Sequence, residues 1–304
     1  MKLRYSIKSI FAAFLLIVLI LSAQKIKTSC FDALILCGRL IIPSLFPFLV
    51  MSAFISKLGL PGIIGRIIAP FACKVYGISP TGASALIMGF IGGYPSGAAY
   101  IASMEKDGII NPDEGERLIA FCNNSGPAFI VGVIGTGIFH SVKTGLVLYG
   151  VHIVSALISG LIFRAKEYSK AVPPHRLDDT NTAEALVASV KQATQTIINI
   201  CGFVIFFSIL IALANISALK SSFAKALISG ILELGNGAAA ISTLDAGPLS
   251  LSLAAGMLGW GGLSVHFQTL AVLSESKIKG SLHLAGRLIS AMISFILMYA
   301  LSIF

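Results

Sequence analysis

"FCNNSGPAFI", residues Phe121–Ile130, places two asparagines, a serine, a glycine and a proline inside a run otherwise apolar enough to cross a bilayer. Asn123, Asn124 and Ser125 compete with the helix for its own hydrogen bonds, Gly126 permits unusual dihedrals, and Pro127 has no N–H to donate. Together they predict an unwound stretch near mid-bilayer, followed by a half-helix that begins at Pro127, a residue suited to the first helical position. A peptide group without a partner in hydrocarbon is costly, so such a stretch persists only against protein or beside a wet cavity.

The same punctuation recurs at "GGYPSG" (Gly92–Gly97), "ELGNG" (Glu233–Gly237) and "GWGGLSVHFQ" (Gly259–Gln268). Each break starts a new half-helix whose free N–H groups and positive dipole end face the gap. The four breaks predict one shared polar site at the membrane midplane. Its candidate substrate-binding residues are Gly93, Tyr94, Pro95, Ser96, Gly97, Asn123, Asn124, Ser125, Gly126, Pro127, Asn236, Gly261, Gly262, Ser264, His266 and Gln268. A single Gly/Pro break is more often a kink than a site; four matched breaks rich in Asn, Ser and Gln are not explained that way. Glu233 is the one acid well inside an apolar segment and is the candidate for ion or proton coupling, because an intramembrane ionisable group is usually functional. Its bland counterpart is a protonated or interface-facing Glu at a hairpin mouth. His266 titrates near neutrality or bonds the substrate; otherwise it makes an interhelical hydrogen bond. Gln268, two residues on, does not share its helical face. His140, His152 and His283 receive no role, and Trp260 is expected to pack the break.

Composition supplies the frame. The 304 residues are 56% hydrophobic and 12% charged, with a mean hydropathy of +0.91. Soluble domains carry roughly twice that charge. Apolar runs at Ile10–Ala23, Leu146–Phe163, Phe203–Ala214 and Leu288–Phe304 approach, with their flanks, the ~20 residues of a membrane helix. The class is an all-α polytopic membrane protein. The net charge of +9 is spread singly between apolar segments, as membrane topology requires, which argues against a nucleic-acid partner. The five cysteines show no CxxC pair and no metal spacing; neither metal nor cofactor is expected. At the N-terminus, the apolar run exceeds a signal-peptide core and Leu21-Ser-Ala23 is a poor cleavage site, so the first helix is expected to be retained.

The expected organisation is an N-terminal transmembrane helix (1–28), a first repeat (29–165), a charged linker (166–186) containing Pro173-Pro174, and a second repeat (187–304). In the first repeat an amphipathic piece over 29–42 is expected to precede an apolar helix over 43–56. "ALIMGFIGGYPSGAAYIASM" (Ala85–Met104) resembles "ALISGILELGNGAAAISTL" (Ala226–Leu244), and an interrupted helix follows each. Treating both glycine-turn segments as re-entrant hairpins puts Lys2, Arg4, Lys8, Lys57, Arg66, Lys74, Lys106, Arg117, Arg164, Lys166, Lys170, Arg176, Lys191, Lys277, Lys279 and Arg287 on the cytoplasmic side, with the N-terminus. Lys25, Lys27, Arg39, Lys143, Lys220 and Lys225 remain outside, in accord with the positive-inside rule. Each repeat then contributes three crossings and the second is inverted, an arrangement common among secondary transporters. On this topology no arginine is buried and available to clamp an anion.

The motifs "GFIGGYPSGAAYI", "FCNNSGPAFIVG", "ELGNG" and "GWGGLSVHFQ" resemble those of the sporulation integral membrane protein group (YlbJ-like) of endospore-forming Firmicutes, from about Cys30 to the C-terminus. These proteins carry the nucleoside-recognition or gate domain also found in concentrative nucleoside transporters and ferrous-iron transport proteins. No GxxxxGK[ST] occurs here, unlike the iron transporters. The resemblance implies a multi-pass protein of the cell membrane or outer forespore membrane, with a stage V sporulation role in moving dipicolinic acid. Half-helix N-termini at Gly97, Pro127 and Gly262 offer N–H groups to its carboxylates, and Tyr94 offers a ring to stack on. The expectation is therefore a non-enzymatic transporter whose partners are dipicolinate or a similar small anion and the lipid bilayer, with oligomerisation open. Alternatives are a nucleoside or other solute carrier, a sporulation-membrane scaffold, and an intramembrane hydrolase using Ser96 or Ser125 with His266.

Overall fold

A computed structural model describes residues 2–166, 181–244 and 247–303, all helices and connections with no strand among them. The elements are α1 (Lys2–Leu21), α2 (Ala23–Lys57), α3 (Leu60–Tyr76), α4 (Ala83–Ile91), α5 (Ser96–Lys106), α6 (Pro112–Cys122), α7 (Ala128–Ile138), α8 (Val142–Ile162), α9 (Thr182–Leu213), α10 (Ser222–Leu232), α11 (Leu234–Ser242), α12 (Pro248–Trp260), α13 (Gly262–Leu273) and α14 (Ser281–Ile303). Helix α2, α8, α9, the α12–α13 pair and α14 are each long and apolar enough to span a membrane. Outward-facing Ile67, Phe71, Ile162, Ile198, Phe206, Ile296 and Leu301 are exposed on their surfaces, as hydrocarbon contact demands.

Sequence chemistry explains the ends of these helices. Asn111 caps α6, its Oδ1 accepting from Glu114 N at 2.7 Å with Pro112 in the first turn. Ser141, Asn181 and Ser221 cap α8, α9 and α10 in the same way. Gly59 and Gly77, at φ +74° and +61°, bracket α3. The amphipathic piece and apolar helix expected over 29–42 and 43–56 are instead one rod, Ala23–Lys57, which also runs through the boundary expected after residue 28. Nothing between Ser29 and Ile42 breaks it. Wider i→i+5 turns at Cys37–Ile41 absorb the change of face, and Pro43 falls just after them. Linker residues 167–180, with Lys170, Pro173-Pro174 and Arg176, lie outside the described residues.

Helix α14 is the hub, packing on α6, α8 and α12. Its inner face reads His283, Gly286, Arg287, Ser290, Ser294, Met298, all buried and spaced as one helical stripe. Small residues allow close approach, as at many membrane interfaces. Ser294 Oγ donates to Ser155 Oγ of α8 at 2.6 Å, and Ser155 and Ser290 lie 3.3 Å apart. A side chain on Gly286 would run into the Ala120 carbonyl group of α6.

Short helices α4 and α5 form an antiparallel hairpin, tied where Tyr100 donates to Ser84 Oγ at 3.0 Å. Helices α10 and α11 form a second, with Gly237 against the Gly230 backbone. At one end of the bundle, loop 274–280 is held to the first half of the chain. Glu116 accepts from Gly280 N (2.6 Å), Ser281 Oγ (3.2 Å) and Leu282 N (3.3 Å), capping α14 from α6. Glu105 accepts from Lys277 N at 3.1 Å. Lys106 pairs with Glu275 at 2.7 Å and holds its carboxyl below the ordinary value; being exposed, this pair adds little stability.

Gly286→Val is expected to lower the thermal unfolding midpoint in detergent, a loss of about 1–3 kcal/mol by overpacking. Gly38→Ala, at a site with open space around it, is expected to leave the midpoint unchanged or slightly raised.

Candidate functional site

The four interruptions form where the sequence predicts them, at Gly92–Pro95, Asn123–Gly126, Glu233 and Gly261. Gly93 (φ +70°) lies so close to the second break that a Cβ would sit 2.7 Å from Gly126 N. A Cβ on Gly262 (φ +82°) would be 3.4 Å from Glu233 Cα, and one on Gly261 (φ +89°) 3.3 Å from Tyr94 Oη. The breaks therefore touch in pairs within each half and across the halves. Gly93 and Gly262 meet main chain directly, and Gly261 meets the Tyr94 side chain; all three hold φ values that favour glycine.

Side chains of the breaks satisfy the backbone that the helices release. Asn123 Oδ1 accepts from Ala98 N in the first turn of α5 (3.2 Å), and its Nδ2 donates to Thr269 Oγ1 of α13 (2.9 Å). Asn124 Nδ2 donates to the Phe121 carbonyl at 2.7 Å. Ser125 N donates to His152 Nε2 of α8 at 3.1 Å, so that histidine is neutral with its proton on Nδ1. In the other half Glu233 caps α11: Oε1 accepts from Gly235 N (3.0 Å), and Oε2 from Asn236 N (2.7 Å) and Nδ2 (2.9 Å). Asn236 Nδ2 also reaches Ser208 Oγ of α9 at 2.8 Å. Trp260 packs the last break, donating to the Ile231 carbonyl at 3.1 Å.

One space of about 60 Å³ borders all the breaks but Gly261 directly. Of the sequence-predicted residues, Gly93, Tyr94, Ser125, Gly126, Glu233, Ser264 and Gln268 line it, against apolar walls from α2, α7 and α9. The hydroxyls of Ser125 and Ser264 on that wall are buried without a hydrogen-bond partner. Asn123, Asn124, Pro127, Asn236, Gly261 and Gly262 stand behind the lining as its supports. Pro95 is buried within its turn, and Gly97 packs on the Cys122 carbonyl, where a Cβ would lie 2.9 Å from the oxygen. Ser96 faces a second, more polar cavity of about 280 Å³ with Ser52, Lys57 and Gln192. Leu49 belongs to both.

His266 turns away from the space. Its ring lies 4.3 Å from that of Trp260 and 5.0 Å from that of His283, both nitrogens lacking a partner. It thus parts company with Gln268, as the spacing implies. Glu233 is buried and accepts three bonds rather than facing an interface. It is also not the only buried acid, for Glu114 and Glu105 are buried near the helix ends.

The largest correction concerns Arg287. The sequence assigns it to a cytoplasmic face and leaves no arginine in the site, yet it is 0% exposed. Its Nη1 donates to Asn124 Oδ1 (2.9 Å) and Tyr94 Oη (3.0 Å), and Nη2 to the Ala120 carbonyl (3.2 Å). His152 and His283, given no role above, are buried beside the same breaks, His283 Nδ1 lying 3.3 Å from the Ile119 carbonyl. A signal was present: His283, Arg287, Ser290 and Ser294 recur at helical spacing within an otherwise apolar segment. Among the described residues no group of three His, Cys, Asp or Glu could hold a metal ion.

Against known proteins, the sporulation integral membrane protein YlbJ of Bacillus subtilis (strain 168) is 28% identical over 280 aligned residues, covering 79% of this chain and 69% of that protein. The likeness agrees with the resemblance of the chain's motifs to the YlbJ-like sporulation membrane group. No family model matches the sequence. No solved structure matches it. With five helices among the described residues long and apolar enough to span a membrane, the chain is an integral, multi-pass membrane protein; its relative is named an integral membrane protein.

Asn123→Leu strands the Ala98 N–H and is expected to lose about 1–3 kcal/mol of stability. Thr269→Val removes the other partner. In a double-mutant cycle of thermal unfolding, the pair is expected to lose less than the sum of the single changes.

Proposed function

We propose that this protein is a membrane carrier for a small anionic metabolite, dipicolinic acid moved across the outer forespore membrane during sporulation. The observation that carries this is the convergence of helix interruptions from both halves of the chain on one space among spanning helices. Carriers bind at such broken helices, because freed backbone groups and half-helix ends can then face a solute. The protein's relative adds the sporulation setting through its name, and the motif resemblance adds the substrate.

In this reading the two halves are inverted repeats with re-entrant hairpins α4–α5 and α10–α11, and the N-terminus is cytoplasmic. Lys57 then marks the larger cavity as the cytoplasmic vestibule. The inner space of about 60 Å³ holds about two waters at ~30 Å³ each, so a pyridine dicarboxylate enters only when Leu49 and the Gly92–Tyr94 turn part. Alternating access is the rocking of the hairpin against α2. Glu233, on the wall and capping α11, is the coupling group: a proton taken up there removes an acceptor from the hairpin turn.

Proteoliposomes containing the full chain are expected to take up pyridine-2,6-dicarboxylate. Gln268→Leu should slow uptake about tenfold, the effect of one lost hydrogen bond to a charged group. Glu233→Gln should abolish the response to an imposed pH gradient. Faster uridine uptake would replace the substrate with a nucleoside. Absence of flux for both solutes, with the protein folded, would favour the scaffold role.

A further inference from the structure

We infer that Arg287 is the anion-recognition residue of this carrier, a buried guanidinium that Tyr94 and Asn124 hold in place of a substrate carboxylate. The inference rests on the carrier reading and deepens it by naming the residue that would recognise the carboxylate of the substrate.

A guanidinium does not give up its proton in a protein, so Arg287 carries a full charge in a fully buried position. Removing such a charge from water is expensive unless a counter-charge or a full set of acceptors replaces the solvent. Neither is present. Its three acceptors are a phenol, an amide and a peptide carbonyl, and Nε has no partner. Among the described residues, the ion pair formed is Lys106–Glu275, at the far loop. Glu233, the acid on the cavity wall, is engaged by N–H groups of α11.

The surroundings add positive potential and donors. Half-helices begin at Ser96, Ala128, Leu234 and Gly262 around the same space, and only the Leu234 end is offset by a carboxylate. Ser125 and Ser264 present unpartnered hydroxyls to the cavity. His283, one turn from Arg287 on the same face, and His266 beside it keep unpartnered ring nitrogens. Tyr94 lines the cavity, and its hydroxyl accepts from Arg287. The charge is thus one side chain away from the space, and displacement of Tyr94 exposes it.

The rest of the lining selects the body of the ligand. Ile41, Leu45, Phe48, Phe129, Ile200 and Val204 give an apolar wall, which suits a ring or hydrocarbon skeleton and not a strongly hydrated phosphate. A carboxylate accepts two parallel N–H bonds from a guanidinium, and neutral solutes leave its charge uncompensated.

The test is binding to purified full-length protein, by calorimetry, of pyridine-2,6-dicarboxylate, its neutral diamide and uridine. The dicarboxylate is expected to bind at least about tenfold more tightly than the diamide, as a charge-assisted bidentate pair allows. Arg287→Gln is expected to erase that preference, and Arg287→Lys to retain part of it. Equal binding of dicarboxylate and diamide to the unmodified protein overturns the inference and leaves the carrier reading standing. So does a dicarboxylate preference that survives in folded Arg287→Gln. If that variant does not fold, the dicarboxylate-to-diamide ratio on the unmodified protein decides alone. Binding of none of the three solutes overturns the inference together with the carrier reading.

Discussion

Peptide groups that leave a helix inside a membrane must find partners within the protein, and the arrangement of this molecule follows from how that is done. Asn123 and Asn124 take over hydrogen bonds that a continuous helix would have made for itself. One amide meets the start of α5 and the side of α13; the other closes the end of α6 and accepts from α14. Glu233 does the equivalent for α11. Because each substitute partner comes from a different element, satisfying the backbone at the breaks also fixes where α5, α6, α13 and α14 sit. The polar site and the packing of the bundle are therefore one construction.

Helix α14 shows why the second half of the chain matters to the first. Its serines meet α8 through hydroxyl contacts, its glycine lets α6 come close, and Arg287 reaches two of the first half's breaks. Close approach by small residues makes such a contact possible in lipid, where no hydrophobic driving force brings helices together.

Much of this was legible in the residues. The breaks at Asn123–Gly126, Gly92–Pro95, Glu233 and Gly261 follow from local chemistry: missing donors, competing amides and glycines. The separation of His266 from Gln268 follows from spacing alone. Arg287 was not legible by the same means, because a base near the start of an apolar helix obeys the rule that sorts bases to one membrane side. That rule counts charges and does not see which face they occupy. The continuity of α2 was hidden for a related reason: the shift in its apolar face looks like two helices when the i→i+5 turns that absorb it are invisible. His152 gave no signal, since its role depends on a backbone N–H brought to it by another helix.

The carboxylate of Glu116 has a mechanical meaning. By capping α14 from α6, it ties those two helices together ahead of the Asn123 break. Arg287 and its Ala120 acceptor are both mounted on that pair, whereas Tyr94 rides on the tip of the α4–α5 hairpin. In the proposed carrier, a swing of the hairpin would unseat the phenol while the guanidinium kept its Ala120 and Asn124 acceptors, so that motion of the cover alone would unveil the charge.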